Sequence, residues 1–268
     1  MRTQALATEF DFTAVDWPNG VNLGNWRAVE LLGSGGTAEV WRAVAPDGRE
    51  AALKLVKREL RRRPGANALL RREHEILRTV ASPHLVAAHD LIENDGSAVL
   101  VLEYLPHGDL VPLVGAPPRQ WLPTFSAVVA ALAALERHGL AHGDLKARNV
   151  LFAADGTARL ADLTSARPLE APAAVATAAY GLPELRGATA READRFALAA
   201  LLFELSTGRL PYGPPGAVAG AGLPAAAAGG PTSAALEAAA RAALQAQGRV
   251  QGLSYFVDVI ESVRGEQD

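Results

Sequence analysis

Cysteine is absent from all 268 residues. A disulfide framework, a thiolate nucleophile and a Cys-based zinc site are therefore excluded, and the six histidines show no ligand-like spacing. A chain without cysteine sits most naturally in the cytoplasm. Long apolar runs are missing as well: residues 196–203 form the longest tempting one, far short of the ~20 residues a membrane span needs. No charged segment followed by an apolar core opens the chain, so no signal peptide is read and no membrane partner is expected. Nor is there an excess of charge, since 26 basic against 29 acidic residues give a net charge of -3. With a pI near 6.1 this lacks the footprint of a nucleic-acid binder. The one basic run, residues 57–63, is read as a solvated helix or loop face. Aromatic residues reach only 6%, so small side chains must fill much of the core.

What is present is globular. Apolar residues make up 49% and charged residues 21%, and a chain of this length buries roughly 70–75% of its unfolded surface. Residues 1–25 carry Phe10, Phe12, Trp17 and a Pro18-Asn19-Gly20 turn without sustained periodicity, and are read as an extension. From Trp26 onward, short apolar segments are broken by turn dipeptides, Asp47-Gly48 and Asp95-Gly96, each between strand-like runs, which predicts antiparallel hairpins. Between them, Leu69, Leu70, Ile76, Leu77 and Val80 recur at helical spacing over 67–80. After Pro106-His107-Gly108 the pattern turns helical over 121–138, 194–207, 233–247 and 253–263. One more small hairpin interrupts it, from Val150-Leu151-Phe152 through Asp155-Gly156 to Ala158-Arg159-Leu160. Residues 213–231, rich in Gly, Pro and Ala, are expected to be loop.

Several segments carry chemistry. Leu32-Gly33-Ser34-Gly35-Gly36-Thr37-Ala38-Glu39-Val40 lies between two predicted strands, where glycine lets backbone N–H groups approach a phosphate that a Cβ would hold off. On the following strand pair Lys54 interrupts the apolar Ala51-Ala52-Leu53, and a buried lysine needs a partner. Glu73 offers one, sharing a helical stripe with Ile76 and Leu77, while Glu75 points elsewhere. The most specific segment is His142-Gly143-Asp144-Leu145-Lys146-Ala147-Arg148-Asn149-Val150-Leu151. Its Asp, Lys and Asn gather three polar side chains in a tight loop between helix and strand, and Asp162 follows at the end of the next hairpin. For phosphoryl transfer Asp144 would accept the proton of the acceptor hydroxyl, Lys146 would steady the phosphoryl group, and Asn149 with Asp162 would ligate a metal.

In combination these motifs resemble the eukaryotic-type (Hanks-type) Ser/Thr protein kinase family, from about Trp26 to at least Pro211. The His-Gly-Asp loop looks like that of a divergent, bacterial-like member. The resemblance implies a bilobal α+β fold: an extension over 1–25, a small antiparallel β lobe with one helix over 26–105, and a larger, mainly helical lobe over 106–268. It implies ATP with Mg²⁺, or Mn²⁺ in its place, and a protein substrate or regulatory partner. Carried over by position, Gly33 and Gly35 resemble the nucleotide-covering loop, Lys54 the strand lysine and Glu73 its helix partner. Leu102 resembles the gatekeeper, and Glu103 to Leu105 the hinge that binds adenine through backbone groups. Leu32, Val40, Ala52 and Leu151 would sandwich the adenine, and Asp109 would reach the ribose. Ala179 to Glu184 resembles the end of the activation segment, with Thr177 in the position from which Ser/Thr kinases contact the catalytic loop. Asp194 resembles the helix Asp that braces the catalytic loop, and Arg249 is the candidate partner of Glu184.

Four departures carry consequences. Gly143 stands where the family has an Arg that receives an activation-loop phosphate, so control by such a phosphate is not expected. Asp162-Leu163-Thr164 stands for Asp-Phe-Gly, and a β-branched Thr164 should reduce flipping of the segment. Ala38 replaces the last loop glycine, and the chain after Pro214 is short and Gly/Ala-rich. Two other classes remain beside the protein kinase: a nucleotide-binding regulatory module, suggested by the altered Gly loop and Asp-Leu-Thr, and a small-molecule phosphotransferase, suggested by His-Gly-Asp. Lys146 and the segments around Pro183-Glu184 and Asp194 favour the protein kinase.

Overall fold

The computed structural model describes residues 22–61, 63, 65–94, 97–173, 187–213, 223, 231–247, 249 and 252–264. The chain divides into two compact units, one comprising the chain up to Thr79 together with Val86–Leu105, the other Val80–Leu85 together with everything from Pro106.

The first unit is built on six antiparallel strands: β1 (Asn22–Leu23), β2 (Trp26–Ser34), β3 (Ala38–Val44), β4 (Glu50–Val56), β5 (Ala88–Asn94) and β6 (Ser97–Leu102), in the order β1-β2-β3-β4-β6-β5. Strand alternation sorts β4. Ala51, Leu53 and Leu55 join Trp41, Ala43, Val99 and Val101 in an apolar cluster on one face, which turns Lys54 to the other. The Asp47-Gly48 turn joins β3 to β4 as expected: Gly48 takes φ 85, a region glycine enters freely, and Asp47 Oδ1 accepts from the Arg49 N–H at 3.1 Å. The Asp95-Gly96 turn lies outside the described residues, although β5 and β6 pair on either side of it.

Two helices accompany the sheet, one more than expected. Helix α1 (Arg58–Arg61) is a single turn inside the basic run, and α2 (Ala68–Thr79) is the amphipathic helix. Arg61 departs from the solvated reading: it is buried, its Nε donates to the Val56 carbonyl at 2.8 Å, and burial pushes its guanidinium below the usual arginine value. On α2 the buried stripe is Leu70, Glu73, Ile76 and Leu77, whereas Leu69 stands exposed. One residue turns a helix by about 100°, and in the doublet Leu69-Leu70 only Leu70 reaches the buried side.

The second unit is mainly helical: α3 (Pro118–Arg137), α4 (Ala190–Thr207), α5 (Pro231–Gln245) and α6 (Ser254–Arg264). Trp121, Phe125, Phe196, Phe203 and Phe256 are its largest fully buried side chains, so the few aromatics are concentrated where volume is needed. Thr189 and Glu192 form a capping box at the start of α4, and Gly208 closes it at φ 71. Two short antiparallel pairs complete the unit: β8 (Val150–Phe152) with β9 (Ala158–Leu160), the hairpin read from the sequence, and β7 (Leu140–Ala141) with β10 (Arg167–Pro168). The loop between β7 and β8 holds Asp144, Lys146 and Asn149.

Candidate active site

The site residues read from the sequence fall into two groups, one in each unit. In the first, Lys54 Nζ lies 2.9 Å from Glu73 Oε1 and 2.6 Å from Oε2. Both side chains are buried, Glu73 completely. A strand and a helix thus hold a charged pair away from water, where each member depends on the other. Ahead of it, Gly33 pairs with Val40 across β2 and β3, and the Gly35 N–H donates to the Ala38 carbonyl at 2.9 Å. A Cβ added at Gly33 or Gly36 would meet nothing within 4 Å, at Gly35 only the Ala38 oxygen at 3.7 Å, and none of the three has positive φ. The fold itself therefore does not require glycine at these positions.

Leu32 is exposed, Val40 is half-buried, and Ala52 and Leu102 are buried on facing positions of β4 and β6. Glu103 is tied to Ala87 twice, its N–H donating to the Ala87 carbonyl at 2.8 Å and its Oε2 accepting from the Ala87 N–H at 3.2 Å. Leu105 follows as a buried residue.

In the second unit the loop residues converge. Lys146 Nζ lies 2.7 Å from Asp144 Oδ2, and Asn149 Nδ2 donates to the Asp144 carbonyl at 2.7 Å while approaching Oδ2 at 3.4 Å. These bonds commit the amide nitrogen of Asn149, so its oxygen is the atom suited to a metal. The next residues carry Asp162 to the same place. The Ala161 N–H donates to the Asn149 carbonyl at 2.8 Å, and Val150 pairs with Leu160. Asp162 has φ 66 and ψ 70, a left-handed conformation that Asp tolerates better than most residues, and the Thr164 hydroxyl donates to its Oδ1 at 2.7 Å.

Two residues brace this loop from behind. His142, which the sequence reading left without a role, is fully buried; its Nδ1 accepts from the Asp144 N–H at 3.2 Å and its Nε2 lies 3.0 Å from the Ala161 carbonyl. An accepting Nδ1 puts the proton on Nε2, which then donates to Ala161. One ring thus links the residue at Asp144 to the residue before Asp162. Its signal in the sequence is slight, a histidine directly after the apolar Leu140-Ala141. Asp194 is the second brace, as expected: its Oδ2 accepts from the His142 N–H at 2.5 Å and its Oδ1 from the Gly143 N–H at 2.8 Å. Burial pushes this carboxyl up, against the pull of the two amides.

Gly143 is required by the fold. It takes φ 82, and a Cβ there would lie 2.5 Å from the Ser165 carbonyl oxygen. Asp109 Oδ1 accepts from the Val111 N–H at 3.1 Å and its backbone bridges to Leu151, so Asp109 has a local structural role beside the one read for it. Arg249 Nε lies 3.2 Å from Glu192 Oε1, and Glu184, the partner expected from the sequence, lies outside the described residues. Thr177 and residues 179–184 lie outside the described residues.

The donors Asn149 and Asp162 test well against the metal the resemblance implies. Both present oxygen, which suits Mg²⁺ or Mn²⁺. Among the described residues no three His, Cys, Asp or Glu gather into a metal cage.

Residues 26–218 match the protein kinase domain, and the chain belongs to the protein kinase family, in its Ser/Thr branch and with that family's two-part α+β fold. Similar proteins include NUAK family SNF1-like kinase 2 of Rattus norvegicus, 29% identical over 195 residues, covering 69% of this chain and 31% of the relative. CBL-interacting protein kinase 4 of Oryza sativa is 31% identical over 208 residues, 71% of this chain and 46% of its own length. Serine/threonine-protein kinase PknF of Mycobacterium tuberculosis is 30% identical over 213 residues, 72% and 45% respectively. The chain therefore matches less than half the length of each of these relatives. Among the described residues no helix is long and apolar enough to cross a membrane.

Proposed function

We propose that the chain transfers the γ-phosphoryl group of Mg·ATP to serine or threonine hydroxyls of a protein, without needing a phosphate on the segment that follows Asp162. The observation that carries this reading is the loop in which Asp144 is bonded by Lys146 and Asn149, while the Asn149 carbonyl accepts from the N–H of Ala161, the residue before Asp162. In the transfer, the acceptor oxygen bonds to the γ-phosphorus as the bond from that phosphorus to the β,γ-bridging oxygen breaks, and ADP leaves. The acceptor's proton passes to Asp144. Lys146 stabilises the phosphoryl oxygens, and Asn149 and Asp162 are the residues that would hold the metal. The metal supplies neutralisation of phosphate charge.

In the first unit, Lys54 takes the α- and β-phosphates and Glu73 fixes its position. Gly33, Gly35 and Gly36, which the fold does not need, suit backbone approach to phosphates. In the first unit the adenine would be held by the backbone of Glu103 and Leu105 beside Leu32, Val40 and Ala52; in the second, the resemblance assigns Leu151 to the adenine and Asp109 to the ribose. Independence from loop phosphorylation rests on Gly143. An arginine there would have to enter a strained φ and displace the Ser165 carbonyl, so the usual receiver of that phosphate has no room.

The test is incubation with γ-labelled ATP and Mg²⁺ or Mn²⁺, with a basic protein and a panel of aminoglycosides, sugars and choline-like alcohols as acceptors. Label on protein Ser or Thr, changed less than about twofold by phosphatase pretreatment of the chain, is the expected result. Turnover concentrated on a small alcohol establishes the small-molecule reading instead, and ATP binding without transfer establishes a regulatory module.

A further inference from the structure

Thr164 stands where the resemblance implies a glycine, and its side chain is not idle. The Oγ1 hydroxyl donates to Asp162 Oδ1 at 2.7 Å across a gap of only two residues. Asp162 is held in the left-handed region, φ 66 and ψ 70, at the mouth of the single 3-10 turn Leu163–Ser165. A hydroxyl bonded to one carboxylate oxygen restricts χ1 and χ2 and favours a defined side for the other oxygen. Glycine at 164 has no atom that can do this.

The surroundings fix the donor in turn. The Ala166 N–H donates to the Leu163 carbonyl at 3.0 Å, and Leu163 and Ala166 on either side are buried. The Ser165 carbonyl is where a Cβ at Gly143 would fall, so the segment after Asp162 packs on the catalytic loop itself. Asn149 and Asp162 are thus placed from two directions: Asn149 by its bonds to Asp144 and Ala161, and Asp162 by the Thr164 hydroxyl.

From this we infer that Thr164 is a positioning residue, whose hydroxyl orients the Asp162 carboxylate for a divalent cation. The inference rests on the reading of Asp162 as a metal ligand. Groups that hydrogen-bond a metal ligand commonly change metal affinity by about 10- to 100-fold when removed, and the lower end is expected for one neutral hydroxyl.

The test is Mn²⁺ binding to the full chain in the presence of a non-hydrolysable ATP analogue, followed by the paramagnetic signal of free Mn²⁺, with no turnover required. Thr164→Val keeps the shape and removes the donor, Thr164→Ala removes both, and Thr164→Ser keeps the hydroxyl. The expected result is a half-saturating Mn²⁺ concentration raised about 10-fold in the Val and Ala variants and within about twofold of the parent in the Ser variant. Analogue binding without metal stays unchanged in all three. Parent-like Mn²⁺ binding by Thr164→Val, or a Ser variant as impaired as the Val variant, overturns the inference. Asp162→Asn separates the two layers: if it loses Mn²⁺ affinity while Thr164→Val does not, only the role of Thr164 falls. If Asp162→Asn binds Mn²⁺ like the parent, the metal-ligand reading falls and this inference with it.

Discussion

The two units secure their charged groups in opposite ways. In the first, one ion pair, Lys54 with Glu73, is sealed between a strand and a helix, and each partner is the other's compensation. In the second, the Asp144 and Lys146 side chains keep about a fifth of their surface in solvent, and the loop's shape comes from backbone amides gripped by buried side chains, Asp194 on two N–H groups and His142 on two neighbouring residues. A pair of the first kind tolerates no loss of a partner. A lattice of the second kind leaves the Asp144 side chain partly exposed to solvent, which suits the group proposed to react.

Breaking the sealed pair gives the largest effect expected. Lys54→Met removes the ion-pair partner of a fully buried Glu73, so it should lose about 3 kcal/mol of stability and reduce turnover by at least about 100-fold. Pairing it with Glu73→Leu sharpens the comparison: urea melts should recover most of the stability, while turnover stays low because the phosphate contact is still missing. A single Lys54→Met variant with parental stability and turnover contradicts the assigned role of the pair.

Loading the backbone lattice comes next. Gly143→Ala places a Cβ 2.5 Å from the Ser165 carbonyl at φ 82, and denaturant melts should show a loss of about 2 kcal/mol. A neutral outcome shows that the loop can shift, and that the contrast with the rigid pair is overstated. Further from the site, the cap of α4 probes the helix that carries Asp194. Thr189→Ala removes the bond to the Glu192 N–H and should lower stability by about 1 kcal/mol.

The smallest effect is a pH dependence at the same cap. The bond from the Thr189 N–H, followed by the Arg249 guanidinium, holds the Glu192 carboxyl below its ordinary value. Because the folded value is depressed, the stabilisation is present above the unfolded carboxylate value and is lost as pH falls through the folded one. The parent should exceed Glu192→Gln by about 0.5 kcal/mol near neutrality, with the difference vanishing in acid. A difference that persists at low pH contradicts this.

Much of the second group was legible because its spacing is local. Asp144, Lys146 and Asn149 lie within six positions, and the hairpin of β8 and β9 that brings back Asp162 is announced by Asp155-Gly156. Period suggested the pairing of Lys54 with Glu73, one residue against an apolar strand and one on the buried stripe of a helix, and the Asp144, Asn149 and Asp162 pattern gave it most of its weight. Leu69 misled because a short apolar doublet, Leu69-Leu70, does not say which member faces inward. Arg61 misled because a run of like charges hides the one residue whose guanidinium reaches a carbonyl. The tie of His142 to Ala161 and the bond from Thr164 to Asp162 were not legible: a side-chain bond across a loop depends on φ values, such as that of Asp162, which composition and period do not encode.

The central claim, that the Asp144 carboxylate receives the acceptor's proton, is tested most directly by Asp144→Asn. With γ-labelled ATP and a protein acceptor, turnover should fall at least about 100-fold while nucleotide affinity stays near that of the parent. Near-parental turnover by the Asn variant would contradict the account.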